Sequence, residues 1–277
     1  MKTLSRTVLT LFVLSFSCLA AIAGEVSFKI TRQYLNFPIS HKENRGRMTF
    51  EVNGKQDLSV VIRLAPDEAE YWVFKDVSAF KGKTIKITYD GNEKGLSKIY
   101  QSDEIEGQAE LYKEKNRPQF HFTTRRGWIN DPNGLIYYEG EYHLFYQHNP
   151  FERDWENMHW GHAISKDLIH WEHQPVAIAP DALGTIFSGS CVVDKDNTAG
   201  FGKGAVIAIY TSAGASQMQS LAYSLDNGMT FHVYENNPII AADKECRDPN
   251  MFWHEKSGKW ILILAAALEK EMWIYSS

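Results

Sequence analysis

The sequence predicts an all-β protein: a small β-sandwich-like domain followed by blades of a β-propeller. Three observations predict it. Aromatic residues are 13% of the 277 residues, with eight Trp and thirteen Tyr, a composition that suits pleated sheets and flat ligands. Short stretches of alternating apolar and polar residues are separated by turn-forming pairs. A weak internal repeat recurs through the second half of the chain, as it does in propellers.

Residues 1–23 read as a secretory signal peptide. Lys2 and Arg6 open it, Val8 to Phe16 is an almost unbroken apolar run, and Ala21-Ile22-Ala23 predicts cleavage before Gly24. The chain is therefore expected to be secreted, periplasmic or held at the cell surface. A lipoprotein anchor at Cys18 is the rival reading, and Ser15 three residues before it fits that poorly. No later stretch reaches the ~18 apolar residues of a membrane span. The net charge of -5 gives no electrostatic case for nucleic acid. Besides Cys18, only Cys191 and Cys246 are present. They could bridge in an oxidising compartment, but read more simply as small buried residues without metal-ligand spacing.

Residues 24–115 read as the sandwich-like domain. Met48–Val52, Leu58–Ile62 and Thr84–Thr88 alternate as strands, with turns at Asn53-Gly54, Lys81-Gly82 and Asp90-Gly91. Lys113 to Pro118 is a polar connection. From residue 118 onward the repeat takes over. Ala163-x-Ser165-x-Asp167 with Trp171 and Pro175 is matched by Ala222-x-Ser224-x-Asp226 with Phe231 and Pro238. Ser165 and Ser224 are 59 residues apart, and a further copy begins at Trp273-Ile-Tyr-Ser276. Asp131 and Asp248 are 117 residues apart, two such periods, with Gly189 of Phe187-Ser-Gly-Ser190 between them. First strands of propeller blades line the central channel, so equivalent positions converge. The repeat thus predicts that Asp131 and Asp248 are spatial neighbours.

Taken alone, Asn130-Asp-Pro-Asn-Gly134 is a tight turn, and Arg247-Asp-Pro-Asn250 a turn entering a strand. The same Asp-Pro-Asn at equivalent points of two repeats argues for more, because paired carboxylates beside an Arg suit glycosidic chemistry. Trp128-Ile-Asn-Asp-Pro-Asn-Gly134 resembles the signature of glycoside hydrolase family 32, the invertases, levanases and inulinases. Phe145-Tyr-Gln-His-Asn-Pro150, Trp155, Met158-His-Trp-Gly-His162, Ser165 to Trp171, Pro180-Asp181, Phe187-Ser-Gly-Ser190 and Arg247-Asp-Pro249 follow in the family's order.

The resemblance covers residues 118–277 and implies a five-bladed propeller, about half of it present. It implies Asp131 as nucleophile in a retaining cleavage of β-fructosyl linkages, and Asp248 as transition-state stabiliser. Asn130, Gln147, Trp155, Phe187, Ser188 and Arg247 match residues lining the fructose pocket. Fructan or sucrose is the expected substrate, and no cofactor or metal is expected. Residues 24–115 resemble, less closely, an N-terminal β-domain of some bacterial members.

One departure matters. The family's general acid/base is a Glu downstream of the Arg-Asp-Pro segment, commonly followed by Cys. Glu245-Cys246 has those letters but precedes Asp248, so the acid/base is expected to be absent from these 277 residues. The expectation is a chain of low activity alone, truncated or completed by a separate chain carrying the remaining blades. A non-catalytic fructan-binding protein is the alternative. An interaction propeller would not need two channel carboxylates, and an arabinose- or xylose-acting relative fits the motifs less well. His159-x-x-His162 and His170-x-x-His173 lack the helical zinc arrangement. Aromatic-flanked packing is their better reading, although His159 and His162 remain open to substrate contact.

Overall fold

In a computed structural model, residues 23–241 and 245–277 are described, and nearly all of their regular structure is antiparallel strand. The expected signal segment lies outside the described residues, apart from Ala23 at its end.

Seven strands build the N-terminal region: β1 (Gly24–Lys29), β2 (Tyr34–Ile39), β3 (Gly46–Val52), β4 (Lys55–Ile62), β5 (Tyr71–Asp76), β6 (Thr84–Tyr89) and β7 (Tyr100–Ser102). They form two sheets, ordered β1-β6-β3-β4 and β5-β2-β7. The three alternating segments expected from sequence fall within β3, β4 and β6. Asn53 and Gly54 both take positive φ, the conformation of a type I′ hairpin that matches strand twist. Strand β2 breaks the alternation: all six residues are buried, so no period-2 signal marks it. Its Pro38 sits where β7 no longer pairs, so the missing N–H costs no ladder bond on that side. Leu35, Phe37, Met48, Phe50, Val60 and Ile87 fill the space between the sheets.

Three further sheets follow, ordered as the repeat predicts. The first contains β8 (Trp128–Tyr138), β9 (Glu141–Asn149), β10 (His159–Ser165) and β11 (Trp171–Ile178). The second contains β12 (Thr185–Asp194), β13 (Ala205–Ala213), β14 (Gln217–Ser224) and β15 (His232–Val233). The third contains β16 (Cys246–His254), β17 (Lys259–Ala266) and β18 (Glu271–Ser276). Each is an up-and-down blade with its first strand at one edge. The repeated Ser and Asp close the same turn after the third strand. Ser165 Oγ donates to Asp167 Oδ1 at 3.1 Å, and Ser224 Oγ to Asp226 Oδ1 at 2.7 Å.

Blades pack face to face through apolar residues. Phe145, Trp160, Ile186 and Tyr210 join the first two, and Ile209, Cys246, Leu262 and Leu264 the second and third. Cys191 is a free thiol at the first of these interfaces, its pKa raised by burial, so the Cys191–Cys246 bridge that the sequence allows is not formed.

Candidate active site

The first strands of the three blades run side by side, β12 in contact with both β8 and β16. Each carries a register break at a corresponding point. On β8 the pairing with β9 skips Asn130 and Asp131. On β12 the pairing with β13 skips Phe187 and Ser188. On β16 the pairing with β17 skips Asp248 and Pro249. Each is a β-bulge, two residues opposing one, which bends the strand and re-aims its side chains. Five of the site residues expected from sequence therefore occupy one structural slot repeated in three blades.

The slots communicate. Ser188 Oγ donates to Asp131 Oδ2 at 2.9 Å across the first interblade boundary. Asp248 has a raised carboxyl pKa. Desolvation by the surrounding protein is the largest cause, Arg247 opposes it, and the charge of Asp131 raises it further. The two carboxyls thus sense each other's charge from either side of β12. Asp248 holds φ at 60°, a left-handed conformation that Asp tolerates better than most residues. Arg247 projects its Nη1 to Gln217 Oε1 and Glu245 Oε2, each at 3.3 Å. Glu245 is exposed and paired to that guanidinium.

The remaining expected residues frame these slots. Asn130 Oδ1 accepts from Trp128 Nε1 at 2.7 Å, which fixes the amide orientation beside Asp131. Trp155 is 51% exposed, and its ring lies 5.9 Å from that of Phe187 at a steep angle, so the two form a corner of apolar surface. Gln147 sits opposite the β8 bulge, buried at 3% exposure, and donates to Ile186 O at 2.9 Å. It bridges the first two bulges rather than lining open space with its amide nitrogen.

Sequence reasoning missed residues that act on backbone. Trp160 Nε1 donates to Phe187 O at 3.0 Å, and Gln219 Nε2 to Cys246 O at 2.8 Å, so blades hold each other's bulged strands. Asn133 is buried two residues from Asp131 with neither amide atom partnered among the described residues. Its place in the repeated Asp-Pro-Asn string was the available signal.

The histidines pack. His148 Nδ1 and His159 Nδ1 donate to Trp128 O and Asn157 O, and His143 Nδ1 meets His162 Nε2 at 3.1 Å in a stacked pair. Burial pushes His148 down to about 4 and His159 and His162 down to about 3, so all are neutral. Among the described residues, His41, Glu152 and Asp154 have metal-like spacing. Arg63 Nη1 lies 2.5 Å from Glu152, 3.1 Å from Asp154 and 3.5 Å from His41 Nδ1, so a guanidinium already fills that centre. A cleft of about 550 Å³ lies between the sandwich and the first blade, lined by Tyr34, Lys75, Arg125 and His173 among others, and contains none of the expected site residues.

Comparisons with known proteins converge. The profile of the glycosyl hydrolases family 32 N-terminal domain matches residues 121–277. A levanase of Bacillus subtilis is 55% identical over 164 residues, 57% of this chain and 24% of its own length. An extracellular exo-inulinase of Aspergillus awamori is 42% identical over 197 residues, 60% of this chain and 37% of its own. Among solved structures, an Aspergillus awamori exo-inulinase superposes with TM-score 0.57 at 41% identity, covering 60% of this chain and 38% of that one. A fructofuranosidase of Schwanniomyces occidentalis complexed with fructose gives TM-score 0.57 at 44% identity, covering 60% and 35%. The chain spans less than two fifths of the length of these relatives.

Proposed function

The chain belongs to glycosyl hydrolase family 32, and from that premise we propose that its three bulged strands form the fructosyl pocket of a retaining β-fructosidase acting on fructans or sucrose. The carrying observation is the shared slot: Asp131 and Asp248 occupy equivalent bulges on β8 and β16, with Ser188 of β12 between them and bonded to Asp131. The names of the relatives, a levanase, exo-inulinases and invertases, support the substrate class.

In the proposed reaction the Asp131 carboxylate attacks the anomeric carbon of a terminal fructosyl unit. The bond to the leaving oxygen breaks as a covalent fructosyl-enzyme forms. Water then attacks the same carbon and releases fructose with retained configuration. Positive charge develops on the sugar in both transition states, and Asp248, whose raised carboxyl pKa Arg247 opposes, stabilises it while holding hydroxyls. The donor from Ser188 keeps Asp131 oriented, at a modest cost to its nucleophilicity. Trp155 and Phe187 form the corner that receives the sugar's C–H face, Asn130 offers its amide nitrogen to the hydroxyls, and Gln147 holds the β12 strand from behind through Ile186 O.

The leaving oxygen needs a proton, and general acid help contributes about 10²–10⁴-fold. Glu245 lies outside the three bulges and pairs with Arg247, so we assign the acid/base to blades other than these three, in the same polypeptide or an accompanying chain. We further assign residues 1–23 as a leader for export, 24–115 as an accessory domain, and 118–277 as part of the catalytic propeller. The test is to assay the 277-residue chain on sucrose, levan and inulin, with a calorimetric titration of fructose alongside. Binding with turnover far below that of a complete family member is expected. Full turnover would refute the acid/base assignment, and absence of both binding and turnover would refute the pocket. Binding without any turnover, even once the remaining blades are supplied, would instead favour a fructan-binding protein.

A further inference from the structure

Trp155 lies in the β9–β10 loop, residues 150–158, and almost every neighbour of Trp155 in that loop is held by the N-terminal sandwich. Phe151, 1% exposed, is a member of the sandwich core, its ring 6.1 Å from both Phe37 and Phe50. Glu152 and Asp154 take Arg63 Nη1 at 2.5 and 3.1 Å. Arg45 reaches Asp154 at 3.3 Å and Glu156 at 3.1 Å. Arg153 N donates to Tyr71 Oη at 3.2 Å. Asn157, at φ 47°, clamps both backbone groups of Val61: its Oδ1 accepts from Val61 N and its Nδ2 donates to Val61 O, each at 2.7 Å.

The loop's other side reaches the bulges. Glu152 O accepts from Trp128 N at 2.9 Å, at the start of the strand carrying Asp131. Met158 O accepts from Ile186 N at 2.8 Å, the residue before the β12 bulge. Between these fixed points the half-exposed Trp155 ring meets that of Phe187.

We propose that the sandwich is the positioning platform of the pocket's aromatic corner: through Arg63, Arg45, Val61 and its own core it fixes the loop that sets the Trp155 indole against Phe187. A half-exposed indole on a nine-residue loop without regular structure samples many rotamers, and ordering it only upon binding would weaken affinity. Gripping the loop from behind removes that cost before the sugar arrives. Arg63, Arg45 and Asn157 are positioning residues in this scheme and touch no substrate. The proposal rests on the fructosyl reading only for the ligand that the corner receives.

The experiment uses the 277-residue chain labelled with 5-fluorotryptophan and observed by fluorine NMR, with Trp155→Phe assigning the Trp155 resonance. Arg63→Gln and Asn157→Ala are the test variants. Lys86→Gln, which breaks an ion pair internal to the sandwich at 2.9 Å, is the control. In both test variants the Trp155 resonance should shift and broaden, the other seven Trp resonances should hold, and the Kd for fructose should rise at least ~3-fold. The control should match the parent. An unmoved Trp155 resonance in both variants would overturn the proposal. So would a resonance that moves while fructose affinity stays unchanged, or one that moves equally in the control. If the parent binds neither fructose nor sucrose, the fructosyl reading falls, and the resonance alone decides whether the sandwich holds the indole.

Discussion

Acid should unfold this protein well above the range where its carboxylates titrate, because the first blade buries neutral imidazoles. His148, His159 and His162 are nearly inaccessible, and burial pushes them from the ordinary 6.5 down to about 4, 3 and 3. In the unfolded chain each would titrate near 6.5. Between those values the unfolded state binds more protons than the folded one, so stability falls as pH falls, beginning at 6.5 and levelling off near 3 to 4. Each pH unit in that window costs about 1.4 kcal/mol per histidine. At pH 5 the loss is about 2 kcal/mol each and about 6 kcal/mol for the three, comparable to the 5–15 kcal/mol of a whole domain. Carboxylates held low, such as Glu114 beside Arg117, lose stabilisation only below about 4.5, and the raised carboxyls of Glu152 and Asp248 act in the opposite sense, so a stability loss above pH 5 reports the imidazoles. Urea unfolding followed by tryptophan fluorescence at intervals from pH 7.5 to 5 measures the slope. His159→Asn keeps a donor near the Nδ1 position for Asn157 O and removes one titrating group, so it should reduce the slope by up to about a quarter, since His173 is also held down to about 4 and His143 and His41 are lowered as well. A midpoint flat across the window, or a slope unaltered in that variant, would refute the reasoning.

Further outcomes follow from packing and geometry. Phe151→Ala should destabilise the protein by about 3–5 kcal/mol in thermal or urea unfolding, since it empties a site in the sandwich core, while Phe151→Leu should cost less. Gly189→Ala should cost at least about 2 kcal/mol: an added Cβ would lie 1.9 Å from Ile209 O, and backbone cannot step aside as a flexible side chain does. Ser188→Ala removes the bond to Asp131 without disturbing the bulge and should weaken fructose binding severalfold in calorimetry while leaving thermal stability within about 1 kcal/mol. Cys191 should resist alkylation by iodoacetamide until the protein unfolds, because burial raises its thiol pKa and only the thiolate reacts.

The blades and the placement of Asp131 and Asp248 were legible because the same constraint recurs. Every blade needs a break in its first strand, and Asp-Pro-Asn marks two of those breaks, with Phe187-Ser-Gly marking the third. The Ser-x-Asp turns were legible for the same reason. Strand β2 was not, since burial on both faces erases the alternation that announces a strand. The bulges were also hidden. They arise from how two strands register, and neither strand alone encodes the mismatch. Nothing in the sequence marks Trp160 or Gln219 as a brace, yet each donates an N–H to a neighbouring blade's carbonyl. Phe151 and Asn157 read as parts of the propeller, because their partners stand about 90 residues or more upstream, in a region whose own pattern says nothing of a joint surface.

The recurring bulge has a consequence for how such a channel can change its chemistry. Its shape belongs to the backbone, and on β12 and β16 the preceding blade braces the strand through main-chain carbonyls, so the side chain seated there carries little of the structural burden. One blade seats a carboxylate there, the next a hydroxyl, the third a carboxylate again. Each first strand works as an interchangeable socket, and evolution can re-equip the ring one fitting at a time while the scaffold around it stays put.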